Sequence, residues 1–370
     1  MFNKPICFQG FFLISDRLVE HADKLKEKAL YPQSIKLFKK ALTHYNKAFN
    51  REMMFQCIFS LGDLYRMVGN FDLAATSYSQ AIGLAIKQRN ITGVADAQVG
   101  LGLSLRAQGR WKEAITLFHK SKKIYSKKND KEGIAFAHWA EAGALRIKGD
   151  IINAMKTFKV SHNTFRSLKH TSGIGYCLCG LGGTSRVAGR LKDSLKYYTG
   201  ANKLFSDSQD TFGIAYSYCG IGNAYRMVKD YKRALINFSK AMRLYNNMGD
   251  KVSSAYTLWS VGTTYKMIGK YEKAYDYFNK AMLLFKRTKD PRGLLYCKLG
   301  FGELNFINGR KTRAKNQLDA ALYESMKNSF ALEKCYATTL LFFINGKIDN
   351  RCYNRLGLKL KFYGLPFNIP

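Results

Sequence analysis

A basic side chain recurs every 40 residues along most of the 370-residue chain. The positions are Lys26, Arg66, Arg106, Arg146, Arg186, Arg226 and Lys266, and Phe306 interrupts the series. Guanidinium and ammonium groups donate charge-assisted hydrogen bonds to carboxylates and phosphates. Because like charges repel each other, a row of them along one surface favours an anionic guest. Alternatively, these side chains pair with carboxylates inside the protein or cap the last carbonyl groups of helices.

Aromatic and amide side chains precede or accompany these basic residues at fixed positions of the repeat. The candidates for ligand contact are Phe136, Trp139, Tyr176, Tyr216, Asn223, Tyr256, Trp259 and Tyr296. Spacings of three, four and three residues, as from Tyr216 to Cys219, Asn223 and Arg226, place such a set on one helical face. The rings could grip an extended acidic peptide or stack on bases. The alternative is that they pack between neighbouring units of the repeat.

The same 40-residue interval relates the sequence to itself from about residue 21 to residue 340 without insertion or deletion. Within residues 211–250, apolar side chains recur at three- and four-residue steps in two stretches, which is typical of an antiparallel helix pair. Glycine stands at the break in most copies, and Lys229 replaces it in one. Predicted N-caps of the following helices are Asp130, Asp210, Asp250 and Asp290, and Pro291 suits a first helical position.

Small and large side chains alternate along each pair, as they do where helices interlock. This pattern resembles the tetratricopeptide repeat family, through Gly222, Tyr225, Ala234, Phe238 and Ala241 and the same columns in neighbouring units. The 40-residue length is similar to the longer repeats of adaptor and signalling scaffolds. The resemblance implies an all-α solenoid of stacked antiparallel helix pairs, in which the first helix of each pair lines an inner, ligand-binding wall. The basic and aromatic columns both belong to that first helix.

The predicted organisation has four parts. We expect an N-terminal capping segment at residues 1–14, eight helix pairs at 15–330, a closing helix at 331–345 and a basic C-terminal tail at 346–370. The repeated cysteines follow the helix register, which argues against a disulfide framework and favours a reducing cytosol. No apolar stretch is long enough to predict a membrane-spanning helix.

The composition points to an anionic partner. Lys and Arg number 60 against 26 Asp and Glu, which leaves a net charge of +34. Histidine, cysteine and carboxylate residues form no catalytic or metal-ligand pattern, so we expect neither an enzyme nor a cofactor, and no small-molecule substrate.

These features predict a non-catalytic cytoplasmic scaffold that binds an acidic peptide or protein segment along a basic, aromatic-lined groove. The main alternative is single-stranded RNA in the same groove, with phosphates on the arginines and bases on the rings. A weaker possibility is contact between the basic tail and an anionic membrane, through Arg351, Arg355, Lys359 and Lys361.

Overall fold

The computed structural model describes the backbone of residues 6–370 and the side chains of residues 14–370. Residues 1–5 of the expected N-terminal capping segment therefore lie outside the described residues. The helices are α1 (Ile6–Glu27), α2 (Tyr31–Lys47), α3 (Arg51–Met67), α4 (Phe71–Lys87), α5 (Ile91–Ala107), α6 (Trp111–Lys127), α7 (Lys131–Lys148), α8 (Ile151–Ser167), α9 (Thr171–Val187), α10 (Leu191–Asp207), α11 (Thr211–Met227), α12 (Tyr231–Met248), α13 (Lys251–Met267), α14 (Tyr271–Thr288), α15 (Pro291–Ile307), α16 (Lys311–Lys327), α17 (Ala331–Ile344) and α18 (Arg351–Arg355). None of them is both long and apolar enough to cross a bilayer.

Local chemistry sets the helix boundaries, as the sequence predicts. The carboxylate of Asp130 accepts a hydrogen bond from the backbone nitrogen of Gly133 at 2.8 Å, and Asp210 caps α11 in the same way. Between the paired helices α7 and α8, Gly149 adopts a φ of 93°, which a side chain would strain. Lys229 takes a φ of 64° at the corresponding break, at a cost of about 1 kcal/mol relative to glycine.

Large rings of the second helices lock neighbouring units together. The side chain of Phe278 is fully buried between two glycines of first helices. A Cβ atom on Gly262 would stand 2.8 Å from the Phe278 ring, and one on Gly300 would stand 2.7 Å from it. The glycines are therefore needed because the ring occupies the space of their missing side chains. This confirms the predicted interlocking of small and large residues.

The helix pairs form two layers. Second helices such as α6 bury one stripe, consisting of Ala114, Phe118, Ser121 and Tyr125, and leave their lysines outside. First helices such as α9 are buried along most of their length and consist largely of small residues. The first helices therefore form the inner layer, and the amphipathic second helices form the outer layer.

Successive turns of the superhelix contact each other. The Trp111 ring nitrogen donates a hydrogen bond to the Asn328 carbonyl oxygen at 3.1 Å, although 217 residues separate them. Pro32 likewise approaches Gly249, and Ala22 and Tyr31 share a buried cluster with Met248. One turn thus takes between five and six of the 40-residue units, and the inner wall surrounds a central space.

The C-terminal region folds back onto the solenoid. Leu358, Leu360 and Phe362 are buried, whereas the intervening Lys359 and Lys361 are exposed. Asn350 fixes this return, because its amide nitrogen donates to the Phe362 carbonyl at 3.1 Å and its oxygen accepts from the Phe362 nitrogen at 2.7 Å. The basic side chains of the expected tail are therefore displayed on a packed segment.

A disulfide bond joins Cys335 of α17 to Cys352 of α18. This corrects the expectation that the cysteines form no disulfide. The expectation rested on the cysteines that follow the helix register, and those remain unpaired thiols: Cys57, Cys177, Cys179, Cys219 and Cys297. The bonded pair lies beyond the last complete helix pair, where the repeat register says nothing about which side chains meet.

Candidate functional site

A cavity of about 300 Å³, which we call the lumen, lies inside the superhelical turn. Side chains of α5, α7, α9, α11, α13 and α15 form most of its wall, as expected for first helices. Of the predicted ligand-contacting residues, those that line the lumen are Arg106, Arg146, Arg186, Tyr216, Asn223, Tyr256, Trp259 and Tyr296. The other predicted residues lie outside its lining: Lys26, Arg66, Arg226, Lys266, Phe136, Trp139 and Tyr176.

A second, more open depression of about 620 Å³ lies between α4, α5 and α6 on the outer surface. Its charged residues are Arg110 and Glu113, whose side chains pair at 2.6 Å. Because this pair is internally neutralised and half exposed, the depression offers no unsatisfied charge to a ligand. The lumen is the better candidate site.

The basic column is neutralised towards both of its ends. Asp63 pairs with Lys26 at 3.5 Å and with Arg66 at 3.4 Å. Lys266 is 1% exposed and pairs with the equally buried Glu303 at 2.5 Å. At these positions the alternative interpretation applies, since an internal carboxylate already satisfies the positive charge.

The central members Arg106, Arg146 and Arg186 have no carboxylate within 4 Å among the described residues. The Arg106 guanidinium lies over Gly143 and donates only to the Ala140 carbonyl oxygen, at 3.3 Å. The Nε atoms of Arg146 and Arg186 are buried without a hydrogen-bond partner in the described part of the chain. A buried donor of this kind carries a desolvation cost that a ligand could offset.

For several members of the basic column, the residue 37 positions later distinguishes paired from unpaired groups, whereas Arg66 pairs with Asp63 of its own helix. Lys26 is followed by Asp63 and Lys266 by Glu303, whereas Arg106 and Arg146 are followed by Gly143 and Gly183. This second column of first-helix residues runs Asp63, Leu103, Gly143, Gly183, Asn223, Thr263 and Glu303. Of the predicted ligand-contacting residues, only Asn223 belongs to this column. The sequence nevertheless shows acidic residues at the two ends of this column and glycines in its middle.

The electrostatics of the lumen favour an anion. Burial, together with the positive charge of Arg146, lowers the pKa of Arg106 to about 10. Asp290 is a carboxylate in the lining, but it caps α15 by accepting from the Gly293 nitrogen at 2.9 Å. Arg292 is paired with Glu333 at 2.6 Å. The positive charge of Arg106, Arg146 and Arg186 therefore remains uncompensated within a poorly solvated space.

Several of the predicted aromatic residues pack between units. The Trp139 ring nitrogen donates to the Tyr176 carbonyl oxygen at 3.3 Å, and Trp259 bonds Tyr296 in the same way at 3.2 Å. Arg106 and Arg226 each stack over the tryptophan of the next unit, at 5.7 Å and 5.8 Å from the ring centre. Phe136 stacks on Trp139 and is 40% exposed. Much of the aromatic column thus connects neighbouring repeats and supports the arginines from behind.

Arg226 is completely buried by the chain's own C-terminal residues. Its Nη2 atom donates to the Ile369 carbonyl oxygen at 2.9 Å, and its Nη1 atom bonds the side-chain oxygen of Asn368. The Asn368 amide nitrogen returns a bond to the Arg226 carbonyl at 3.1 Å. The sequence contained no signal for this contact, which spans more than 140 residues.

Comparisons with known proteins agree with this architecture. A sequence profile described as tetratricopeptide repeat matches residues 96–127. A search of curated protein sequences gives no significant match. A solved Rap protein complexed with Competence and Sporulation Factor is 15% identical, with a TM-score of 0.58 over 90% of this chain and 98% of that chain.

Two further solved structures are similar over most of the chain. The Rap conjugation gene regulator of plasmid pLS20, in complex with the Phr* peptide, is 13% identical with a TM-score of 0.56, covering 94% of this chain and 99% of that one. Aspartyl phosphate phosphatase F from Bacillus subtilis is 13% identical with a TM-score of 0.54, covering 88% and 85%. At such identities the likeness concerns the fold. Together with the repeat match, it shows that this chain is a tetratricopeptide-like helical solenoid.

Proposed function

We propose that the protein is a binding scaffold that holds an acidic peptide, or an acidic segment of a protein, inside the lumen. The observation that carries this proposal is the unpaired state of Arg106, Arg146 and Arg186 in the wall of the lumen. Carboxylates of a guest would supply the missing acceptors, with charge-assisted hydrogen bonds that contribute about 1.5–3 kcal/mol each. Tyr216 and Tyr256 would contact the apolar parts of the guest.

The size of the lumen supports a short, extended guest. Its 300 Å³ lies at the lower end of the range of about 300–1,000 Å³ that is common for ligand pockets. A folded partner domain would not enter it. Two of the similar solved structures are described as complexes, one with Competence and Sporulation Factor and one with the Phr* peptide, which agrees with a peptide as the class of guest.

The test compares two variants that change the net charge equally. Arg146→Glu/Arg186→Glu inverts the lumen, and Lys123→Glu/Lys127→Glu inverts two exposed positions on the outer face of α6. Fluorescence anisotropy would measure the binding of a labelled Glu-rich hexapeptide and of a Gln-rich hexapeptide. We expect the lumen variant to lose at least about 10-fold in affinity for the Glu-rich peptide, because about 1.4 kcal/mol corresponds to tenfold. The outer variant should lose much less.

Two outcomes would overturn the proposal. One is an equal loss in both variants, which would indicate long-range attraction without a lumen site. The other is binding of a labelled single-stranded RNA oligonucleotide more tightly than the acidic peptide, with a salt dependence that corresponds to several phosphates. Circular dichroism would verify that both variants keep their helices.

A further inference from the structure

Residues 367–370, which we call the resident segment, lie inside the solenoid without regular secondary structure, and the Ile369 nitrogen donates to the Phe367 carbonyl oxygen at 3.0 Å in a tight turn. The residues that hold this segment are members of the inner wall. Lys266 donates to the Phe367 carbonyl oxygen at 2.9 Å, and Glu303 accepts from the Phe367 nitrogen at 2.8 Å. Arg226 binds the Asn368 side chain and the Ile369 carbonyl. Pro370 is part of the lumen lining. The inner wall thus already binds one segment of the chain, through that segment's main chain and the side-chain amide of Asn368.

The resident segment follows a short connection in which Tyr363 is exposed and residues 364–366 are half-buried. The chain is anchored at Phe362 by Asn350, after which Tyr363 is 80% exposed and Gly364 has a φ of 142°. Beyond it, Phe367 and Ile369 are buried again, and Phe367 contacts the ring of Phe362 at 5.0 Å. The resident segment is therefore held by buried apolar side chains and hydrogen bonds, as a guest peptide would be.

The resident segment does not neutralise the positive charge of Arg226. Arg226 is buried with the side-chain amide oxygens of Asn223 and Asn368 and the Ile369 carbonyl oxygen as its acceptors, and no carboxylate of the described residues pairs with it. Burial, together with the positive charge of Arg186, lowers the pKa of Arg226 to about 9. A carboxylate at the position of the Asn368 amide would bind the guanidinium more strongly than the amide does.

We infer that residues 367–369 are a built-in competitor for a guest peptide in which an acidic residue stands between two apolar residues. This deepens the proposed function and rests on it, since the guest enters the same lumen. It assigns Arg226, Lys266 and Glu303 as a subsite that binds the main chain of a turned segment. A tethered competitor acts at an effective concentration of about millimolar, so it lowers the apparent affinity of a guest without abolishing binding.

The experiment uses a labelled, terminally blocked nonapeptide with the sequence of residues 362–370 but with Asp at the position of Asn368. The control peptide has Ala there. Anisotropy would compare the 370-residue chain with a chain that ends at Gly364. We expect the shortened chain to bind the Asp peptide about tenfold or more tightly than the 370-residue chain does. The Ala peptide should bind more weakly than the Asp peptide to both.

A matched pair of point variants keeps the inference testable if the shortened chain does not fold. Asn368→Ala removes the side-chain bonds to Arg226 and should strengthen guest binding. Asn368→Asp supplies a carboxylate that can pair with Arg226. It should therefore hold the resident segment more firmly and weaken guest binding. Equal affinities of these two variants, or of the shortened and 370-residue chains when both are folded, would overturn the inference.

The two proposals fail in different ways. If binding of the Glu-rich hexapeptide depends on Arg146 and Arg186 but the shortened chain binds the nonapeptide no more tightly than the 370-residue chain, only the inference about the resident segment is wrong. If the nonapeptide binds the shortened chain and the hexapeptide shows no dependence on those arginines, the central acidic-peptide site is wrong instead.

Discussion

The Arg146 guanidinium lies over the α-carbon of Gly183 in the next helix pair. A Cβ atom on Gly183 would stand 2.5 Å from Arg146 Nη1 and 3.1 Å from the Tyr198 hydroxyl. The same relationship between repeats puts Lys266 against Glu303 and Lys26 against Asp63. For Lys26, Arg146 and Lys266, the residue at this position of the facing helix therefore determines whether the cation has an internal carboxylate partner.

Replacing Gly183 with Asp should convert the centre of the column into the paired state. The nearest atoms belong to the end of a flexible arginine, so the guanidinium can move aside and pair with the new carboxylate. We expect the affinity for the Glu-rich hexapeptide to fall by about tenfold or more, because the guest would lose a charge-assisted partner. Titration by fluorescence anisotropy measures this change.

Gly183→Asn is the matched control, since it has the same shape without the charge. The Asn variant should retain most of the affinity for the Glu-rich hexapeptide. An equal loss with Asn and Asp would mean that the added volume, and not neutralisation of Arg146, blocks the guest.

The buried pair of Lys266 and Glu303 should behave as a coupled unit. Lys266→Met alone leaves a buried carboxylate without its cation and should lower the free energy of unfolding by about 3–5 kcal/mol. Adding Glu303→Gln neutralises that carboxylate while keeping an acceptor for the Phe367 nitrogen, which lies 2.8 Å away. The double variant should recover a large part of the loss.

Guanidinium denaturation measures the free energy of unfolding of the native chain, of Lys266→Met, of Glu303→Gln and of the double variant. These four values form a double-mutant cycle. Strict additivity of the two single effects would show that the residues do not interact, contrary to the 2.5 Å ion pair.

The interlocking ring of Phe278 should be essential for stability. It is fully buried between Gly262 and Gly300, so Phe278→Ala leaves a cavity and should cost about 3–5 kcal/mol. Leu283→Ala on the same helix changes a side chain that is 58% exposed and should cost less than about 1 kcal/mol. Midpoints of chemical denaturation compare the two variants, and similar midpoints would contradict the interlocking role.

Glu141 should make stability depend on pH in the acidic range. Burial would raise the pKa of Glu141, but nearby His138, Lys122 and His119 outweigh this effect and lower the pKa to about 2. A carboxyl group with a lowered pKa stabilises the fold above its ordinary value near 4.5, and this contribution is lost as the pH falls towards 2. After allowance for its partial exposure, we expect about 1–2 kcal/mol.

Thermal unfolding of the native chain and of Glu141→Gln between pH 2 and pH 6 would measure this contribution. The difference between the two proteins should be largest at pH 5–6 and should shrink on acidification. A difference that stays constant over this range would rule out the assigned ionisation.

Local features of the chain were predictable because each depends on neighbouring residues. Asp210 is recognisable as an N-cap from its position just before a helical pattern, and it caps α11 as predicted. The pairing of Gly262 with Phe278 follows from columns of small and large residues in adjacent helices. The assignment of the first helices to the inner wall came from the family resemblance, and the lumen lining agrees with it.

The amino-acid sequence by itself determined the repeat, the helix pairs and the face on which the basic column lies, since all of these arise from contacts within about one repeat. Only the tertiary structure decided which members of that column stay unpaired and what already occupies the inner wall. Small rotations between units add up to a turn that brings Trp111 to Asn328, and a returning segment brings Asn368 to Arg226. Such contacts depend on the accumulated curvature and on packing between distant residues, neither of which leaves a periodic trace in the sequence.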